Sequence, residues 1–400
     1  MRAWRDTLRA SLRTEGPVRG GRAAHRRRRW SLRAVIVGMA AAALLTACAS
    51  LDSFDYYWQG AAGQLDLLSR SEPIPEAMSK GDPTLAARLL EVQQIRRFAS
   101  RELGLPDNGS YTRYADLGRP FVTWSVFATP MLSLEPRRWC FPVAGCVDYR
   151  GYFDESAARR EAARLKADGD DVYVGGVPAY STLGWFDDPV LSTFIRWPET
   201  EVARLVFHEL AHQLLYVKDD SVFNESFATT VEEVGLERWL AAQKNPVLDA
   251  QAARADRLRA VFRHLVRTTR EKLSQVYASD LDTAAKLRAK REAFAAMAAA
   301  YEAARAGEPG LAGYDRLFAQ GPSNASLAAV GIYTDRIPAF RELLREEDAD
   351  LPRFYARVRA VAAMARSERD QVLDAAAERG RAYALAQRAA VAAAPPGRAH

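Results

Sequence analysis

The chain has 400 residues, of which 48 % are apolar and 10 % aromatic, enough to bury one large core or two small ones and too many for disorder over most of the length. The formal charge is +6, yet residues 1–47 hold eleven arginines against two acids, Asp6 and Glu15, and the remainder carries 45 basic and 48 acidic residues. The basicity therefore belongs to the N-terminal segment, and no nucleic-acid partner is expected.

That segment has an ordered composition. Arg26 to Arg33 is a positive stretch, and Ala34 to Leu45 is an apolar run of twelve residues. A membrane span needs about 20 apolar residues, so the run reads as the hydrophobic part of a secretory signal over residues 1–47. It ends in Leu45-Thr46-Ala47-Cys48, which resembles the bacterial lipobox, whose cysteine is lipidated and becomes the first mature residue. An ordinary signal peptide ending near a cysteine is the alternative, and RRRRWSL fits a twin-arginine signal loosely. Ala49 follows Cys48 in place of the aspartate associated with inner-membrane retention. The expected location is therefore the cell envelope, lipid-anchored at the outer membrane and facing the periplasm.

Past Cys48, residues 55–71 and 84–104 repeat apolar side chains at helical spacing, separated by Pro73, Pro75 and Pro83. Residues 119–128 alternate as a strand. Cys140 and Cys146 follow in a short loop, and an exported chain meets an oxidising compartment, so a disulfide is expected between them. Residues 154–168 read as a helix, 171–183 as a strand, 200–216 and from about 224 to 241 as two helices. Residues 245–306 have the composition of a long helical hairpin, broken at Gly307, Pro309 and Gly310. Two more helices are predicted over 324–344 and 351–388, and the tail over 391–400 is expected to be disordered. The predicted fold class is α+β and mainly helical, with one domain over 48–390, a small sheet beside the helix at 200–216, and a long helical part from about 245.

Residues 207–217 read FHELAHQLLYV. On a helix, positions four apart share a face, so His208 and His212 can turn imidazole nitrogens to one metal ion, one Zn2+ by this donor type. Glu209 falls beside that ion, where a base can deprotonate a water. Two histidines and one carboxylate leave a zinc position open, as hydrolysis requires. Glu225, Glu232 and Glu233 are the candidates for the carboxylate. Glu225 lies in Asn224-Glu225-Ser226-Phe227-Ala228, with twelve residues between it and His212. This word resembles the Asn-Glu-x-Phe-Ala motif of zinc aminopeptidases, where the linking stretch is about eighteen residues. Glu225 is taken as the ligand. Glu232, seven positions on and on the same helix face, is read as an acid supporting the site.

Residues 175–194, 207–229, 65–74, 101–111 and 139–153 together resemble the putative aminopeptidase family of bacterial lipoproteins, a branch of the HExxH zincin, gluzincin-like peptidases, over roughly residues 48–365. The resemblance implies a zincin-like metallopeptidase fold and zinc-dependent peptide hydrolysis at a membrane surface, with a peptide or protein as substrate. In zincins an edge strand pairs with the extended substrate, which makes Tyr180, Ser181 and Thr182 candidate substrate contacts, or ordinary strand residues before a turn at Gly184. Tyr333 is the candidate oxyanion donor, with His264 read as structural. The Gly-x-Met-Glu-Asn word that binds the substrate amine in related aminopeptidases is absent, and Asp187, Asp188 and Glu232 are its possible replacements. A zinc endopeptidase and a non-catalytic lipid-anchored scaffold with a structural zinc site are the rival readings. Glu209 argues against the scaffold, because a structural site has no use for a base.

Overall fold

The computed structural model describes residues 55–141, 145–179 and 181–393. The signal segment, Cys48 and the tail over 394–400 lie outside the described residues. The chain divides into two compact units, Met1–Trp58 and Gln59–His400. Of the first, residues 55–58 are described and are helical; the second carries everything that follows.

The second unit is mainly helical with small sheets, an α+β arrangement. In chain order it runs α1 (59–70), β1 (Ser71–Pro73), α2 (Ile74–Ser79), α3 (Pro83–Leu103), β2 (Arg113–Ala115), β3 (Thr123–Pro130), β4 (Trp139–Phe141), β5 (Gly145–Val147), β6 (Arg150–Tyr152), α4 (Glu155–Ala167), β7 (Asp170–Val177) and β8 (Val190–Leu191). Helices then take over: α5 (Glu199–Leu214), α6 (Ser221–Gln243), α7 (Pro246–Ala278), α8 (Thr283–Gly307), a 3-10 turn (Pro309–Tyr314), α9 (Asp315–Ala319), α10 (Asn324–Thr334), α11 (Ile337–Glu346), α12 (Leu351–Ala362) and α13 (Arg366–Ala393). No helix among the described residues is long and apolar enough to cross a membrane.

Three small sheets form among the described residues. One has the order β1-β2-β8, the second is antiparallel with the order β6-β3-β7, and β4-β5 is a hairpin. Strand β3 is buried along almost its whole length, so both its faces are apolar or small, as a central strand requires. Cross-strand pairing sets Ser125 against Gly175 and Phe127 against Tyr173. These pairs face α10, where Phe127 packs on Ala325 and Ala329. The hairpin α7–α8 is tied to the same sheet by Lys290, which donates to the Met131 carbonyl (2.8 Å) and pairs with Asp171 (2.7 Å).

The main core lies where α3, α5, α6, α11 and α12 meet. Helix α5 starts with Glu199 and Glu201 in its first turn, the charge sign its N-terminus favours, and buries Val202, Val206, Phe207 and Leu210. Phe227 of α6 meets Phe340, Phe354 and Tyr355. Truncating such a fully buried ring to alanine costs about 3–5 kcal/mol, so α6 is firmly seated.

Four expectations change. The strand predicted over 171–183 stops at Val177, since Pro178 has no N–H for a ladder and the chain turns with positive φ at Leu183 (57°) and Gly184 (81°). The helix predicted over 324–344 is two, α10 and α11, with Pro338 in the first turn of the second. The helix predicted over 351–388 breaks after Ala362, where Arg369 donates to the Ala362 and Met364 carbonyls (3.4 and 3.1 Å) and pairs with buried Asp220 (2.7 Å). Helix α13 also continues to Ala393, into the stretch expected to be disordered.

Candidate metal centre

Helices α5 and α6 lie side by side and bring His208, His212 and Glu225 together. The link between them, Leu215 to Asp220, is short and firmly held. Asn224 accepts from the Val217 N–H and donates to the Val217 carbonyl, both at 2.7 Å. Asp220 caps α6 by accepting from Phe223 N–H (3.1 Å). Cys140 and Cys146 face each other across β4–β5 and are joined as a disulfide. This hairpin docks on the link: Cys146 N–H donates to Asp219 Oδ1 (2.5 Å) and Arg138 donates to the Asp219 carbonyl (2.8 Å). Gly145, with φ 77°, is needed there, because a Cβ would collide with Lys218 and Asp219.

The donor atoms converge. His208 Nε2 lies 3.2 Å from Glu225 Oε2 and 3.2 Å from His212 Nε2, and His212 Nε2 lies 3.6 Å from Glu225 Oε2. Tetrahedral zinc with bonds of about 2.0–2.1 Å separates its ligand atoms by roughly 3.3 Å, so the spacing fits that ion. The donor chemistry fits as well. Three lone-pair atoms aimed at one another need protons or a cation between them, and the triad could hold a metal ion.

Glu232 sits behind His208. Its Oε2 is 3.1 Å from His208 Nδ1, and its Oε1 accepts from Arg204 (3.2 Å), which also pairs with Asp256 (2.6 Å). Burial alone would raise the Glu232 carboxyl, but the His208 and Arg204 charges outweigh it and hold the group below its ordinary value. Ionised, Glu232 can only accept, so Nδ1 of His208 donates to it, and Nε2 is the ring atom that faces the triad, where a metal would replace its proton. The Glu225 carboxyl is likewise held low: burial opposes ionisation, and His212 and His208 overcome it. The His212 Nδ1 is buried with no hydrogen-bond partner among the described residues.

Glu209 lies beside the triad. Burial raises its carboxyl above the ordinary glutamate value, the imidazoles of His208 and His212 oppose this, and the charges of Glu225 and Asp188 add to it. His208, Glu209, Thr229 and Glu232 line one wall of a cavity of about 650 Å³. Ser125, Phe127, Tyr173 and Gly175 of the β3–β7 sheet line another, and Phe121, Trp197, the first half of α5, α7, the 3-10 turn, α9 and α10 also contribute.

Other predicted residues are placed differently. Ser181 and Thr182 lie past the end of β7, in a loop closed on buried Asp188: Thr182 donates to it through N–H (3.0 Å) and Oγ1 (2.8 Å), and Ser181 through Oγ (3.3 Å). Neither lines the cavity. Tyr180 and the side chain of Tyr333 lie outside the described residues; the Tyr333 backbone is in α10. His264 is exposed on α7, 3.3 Å from Arg267. The cavity arginines, Arg204, Arg259, Arg263 and Arg316, went unnoticed in the sequence. Only Arg204 has a local signal, four positions before His208 and so on its face.

The fold and site define a mainly helical α+β protein with two imidazoles and a carboxylate converging beside an enclosed acid. Residues 55–373 match the family described as "Putative aminopeptidase", and the chain belongs to that family. No curated protein and no solved structure matches the chain.

Proposed function

We propose that this protein is a zinc-dependent peptidase, zincin-like in architecture, with the metal held by His208, His212 and Glu225. The observation that carries the reading is the convergence of those three donors beside Glu209, with His208 and Glu209 on the wall of a cavity. When bound, zinc supplies a Lewis acid for a carbonyl oxygen and makes nearby water more acidic. Glu209 takes a proton from the attacking water and returns it to the leaving amine, a role its raised carboxyl value suits. Glu232 fixes the tautomer and direction of His208. Tyr333 is the candidate to stabilise the oxyanion.

Family membership supports peptide hydrolysis, with cleavage at free N-termini as its aminopeptidase form. An endopeptidase is the second reading. It is favoured by the commitment of Asp188 and Glu232 to other partners, which leaves neither to bind a substrate amine, and by Asp187, which is exposed and does not line the cavity. The test is zinc content together with cleavage of peptide pairs that differ only by N-terminal acetylation. Stoichiometric zinc and faster cleavage of the free-amine peptide at its first bond support the aminopeptidase. Equal cleavage of both at internal bonds makes it an endopeptidase, and zinc without any cleavage returns the scaffold reading.

The proposal extends to location: an envelope lipoprotein anchored through Cys48, supported by the LTAC word after an apolar run. Cys48→Ala should then release the protein from the membrane fraction. A wild-type protein that fractionates as soluble periplasmic material counts against the anchor.

A further inference from the structure

The cavity beside Glu209 has an uneven balance of partnered charges. Four carboxylates line it, and three are occupied by cations. Glu201 pairs with Arg259 (2.9 Å), Glu232 with Arg204 (3.2 Å), and Glu233 with Arg341 (2.8 Å). Arg263, also on the wall, reaches only the already paired Glu233, at 3.7 Å. Arg316 lines the cavity and makes no ion pair among the described residues; its guanidinium lies over the ring of Phe121, 4.6 Å from the centroid. Phe121 in turn lies flat against Gly176 of β7, where any Cβ would collide with the ring. The unpaired guanidinium is therefore seated by the strand that forms the cavity wall.

Two arginines without a carboxylate of their own, in a cavity shared with His208 and Glu209, form a receptor for an anion. Guanidinium groups match carboxylates in a two-bond fork. Among the described residues, no lining carboxylate other than Glu209 is left to receive an ammonium. We infer that the cavity selects peptides by a carboxylate, either an acidic side chain or the C-terminal carboxylate, received by Arg316 and Arg263. This rests on the peptidase reading of the same site and names its substrate class.

The test uses the full chain carrying Glu209→Gln, so that peptides bind without turnover, and reads titration calorimetry with tryptophan fluorescence, since Trp197 lines the cavity. Three pentapeptides serve as probes: Gly-Ala-Gln-Ala-Gly amide, its Glu counterpart as the amide, and the Gln peptide as the free acid. The expected result is that a carboxylate tightens binding about tenfold or more. Arg316→Gln and Arg263→Gln should each remove most of that gain and leave the neutral amide within about twofold of its starting affinity. Whichever acidic probe gains identifies the source, side chain or terminus. Equal binding of all three probes overturns the inference, as does a gain that survives both substitutions. Carboxylate-dependent binding with no cleavage of any probe by the unsubstituted chain would sink the peptidase reading alone. Cleavage indifferent to the carboxylate would sink this inference alone.

Discussion

Glu232 and His208 are joined at 3.1 Å through the ring nitrogen that faces away from Glu225, and Arg204 holds the other oxygen of the carboxylate. One acid on α6 thus fixes the tautomer of a histidine on α5. Removing it leaves all three donors of the triad in the chain but frees the imidazole to turn.

Glu232→Gln should therefore weaken zinc binding by about 10–100-fold, and Glu225→Ala should weaken it further, because a ligand atom is lost. Competition against a chromophoric chelator gives both constants. Full zinc affinity in Glu225→Ala with loss in Glu232→Ala would exchange the two roles.

Glu209→Gln keeps the triad and removes the proposed base. Zinc content should stay stoichiometric while kcat falls by about 10²–10⁴-fold. A metal-replete variant with ordinary turnover would end the role given to Glu209.

The triad was legible because its parts are local. His208, Glu209 and His212 lie within five residues of one helix, and Glu225 opens the next helix across a short link. Glu232 was legible through its seven-residue spacing from Glu225. The cavity was not. Arg259, Arg263 and Arg316 belong to α7 and α9, where charge on a helix reads as a solvated face; only the packing of the α7–α8 hairpin against the sheet sets Arg259 and Arg263 on the cavity wall, and Arg316 stays exposed at its edge. The same limit applies to the break after Ala362. No glycine or proline marks it, and the guanidinium that receives the freed carbonyls meets its partner Asp220 nearly 150 residues away in sequence.

Asn224 offers a stability test separate from metal. It makes two hydrogen bonds to Val217 from a nearly fully buried position. Asn224→Ala leaves both backbone groups without that partner and should destabilise the metal-free protein by about 2–4 kcal/mol. Asn224→Asp keeps the acceptor, loses the donor, and should be less stable than wild type. Urea unfolding measures both, and an alanine variant within 0.5 kcal/mol of wild type (the scale of an ordinary surface change) would contradict the brace.

The disulfide hairpin braces the same link from the other side. Closing so short a loop contributes about 2 kcal/mol through the unfolded chain, so replacing both Cys140 and Cys146 by serine should cost about that much. Amide exchange should also rise at Lys218 to Asp220, where Cys146 and Arg138 bind Asp219. Unchanged exchange there would mean that the hairpin merely rests on the link.

The pH dependence of the metal-free protein follows from the signs of three shifts. His208 is held well above 6.5: burial opposes its charge, and the hydrogen bonds it donates to Glu225 and Glu232 outweigh burial. Its contribution to stability is complete below 6.5 and is lost as pH rises through the higher folded value. Glu225 and Glu232 are held below 4.5, burial being outweighed by the imidazoles and, for Glu232, by Arg204. Their contribution is complete above 4.5 and is lost as pH falls through the lower folded values. The cluster therefore stabilises the metal-free chain most between 4.5 and 6.5 and less on either side. Under the proposed function zinc should reverse the alkaline limb, because it needs the lone pair that a proton occupies on His208. The rise in melting temperature on adding zinc should grow from acid to neutral pH. Melting curves of chelator-treated and zinc-loaded protein across that range measure both limbs. A zinc increment that does not change with pH would mean that no proton leaves the triad when the metal binds, and that His208 is not among its ligands.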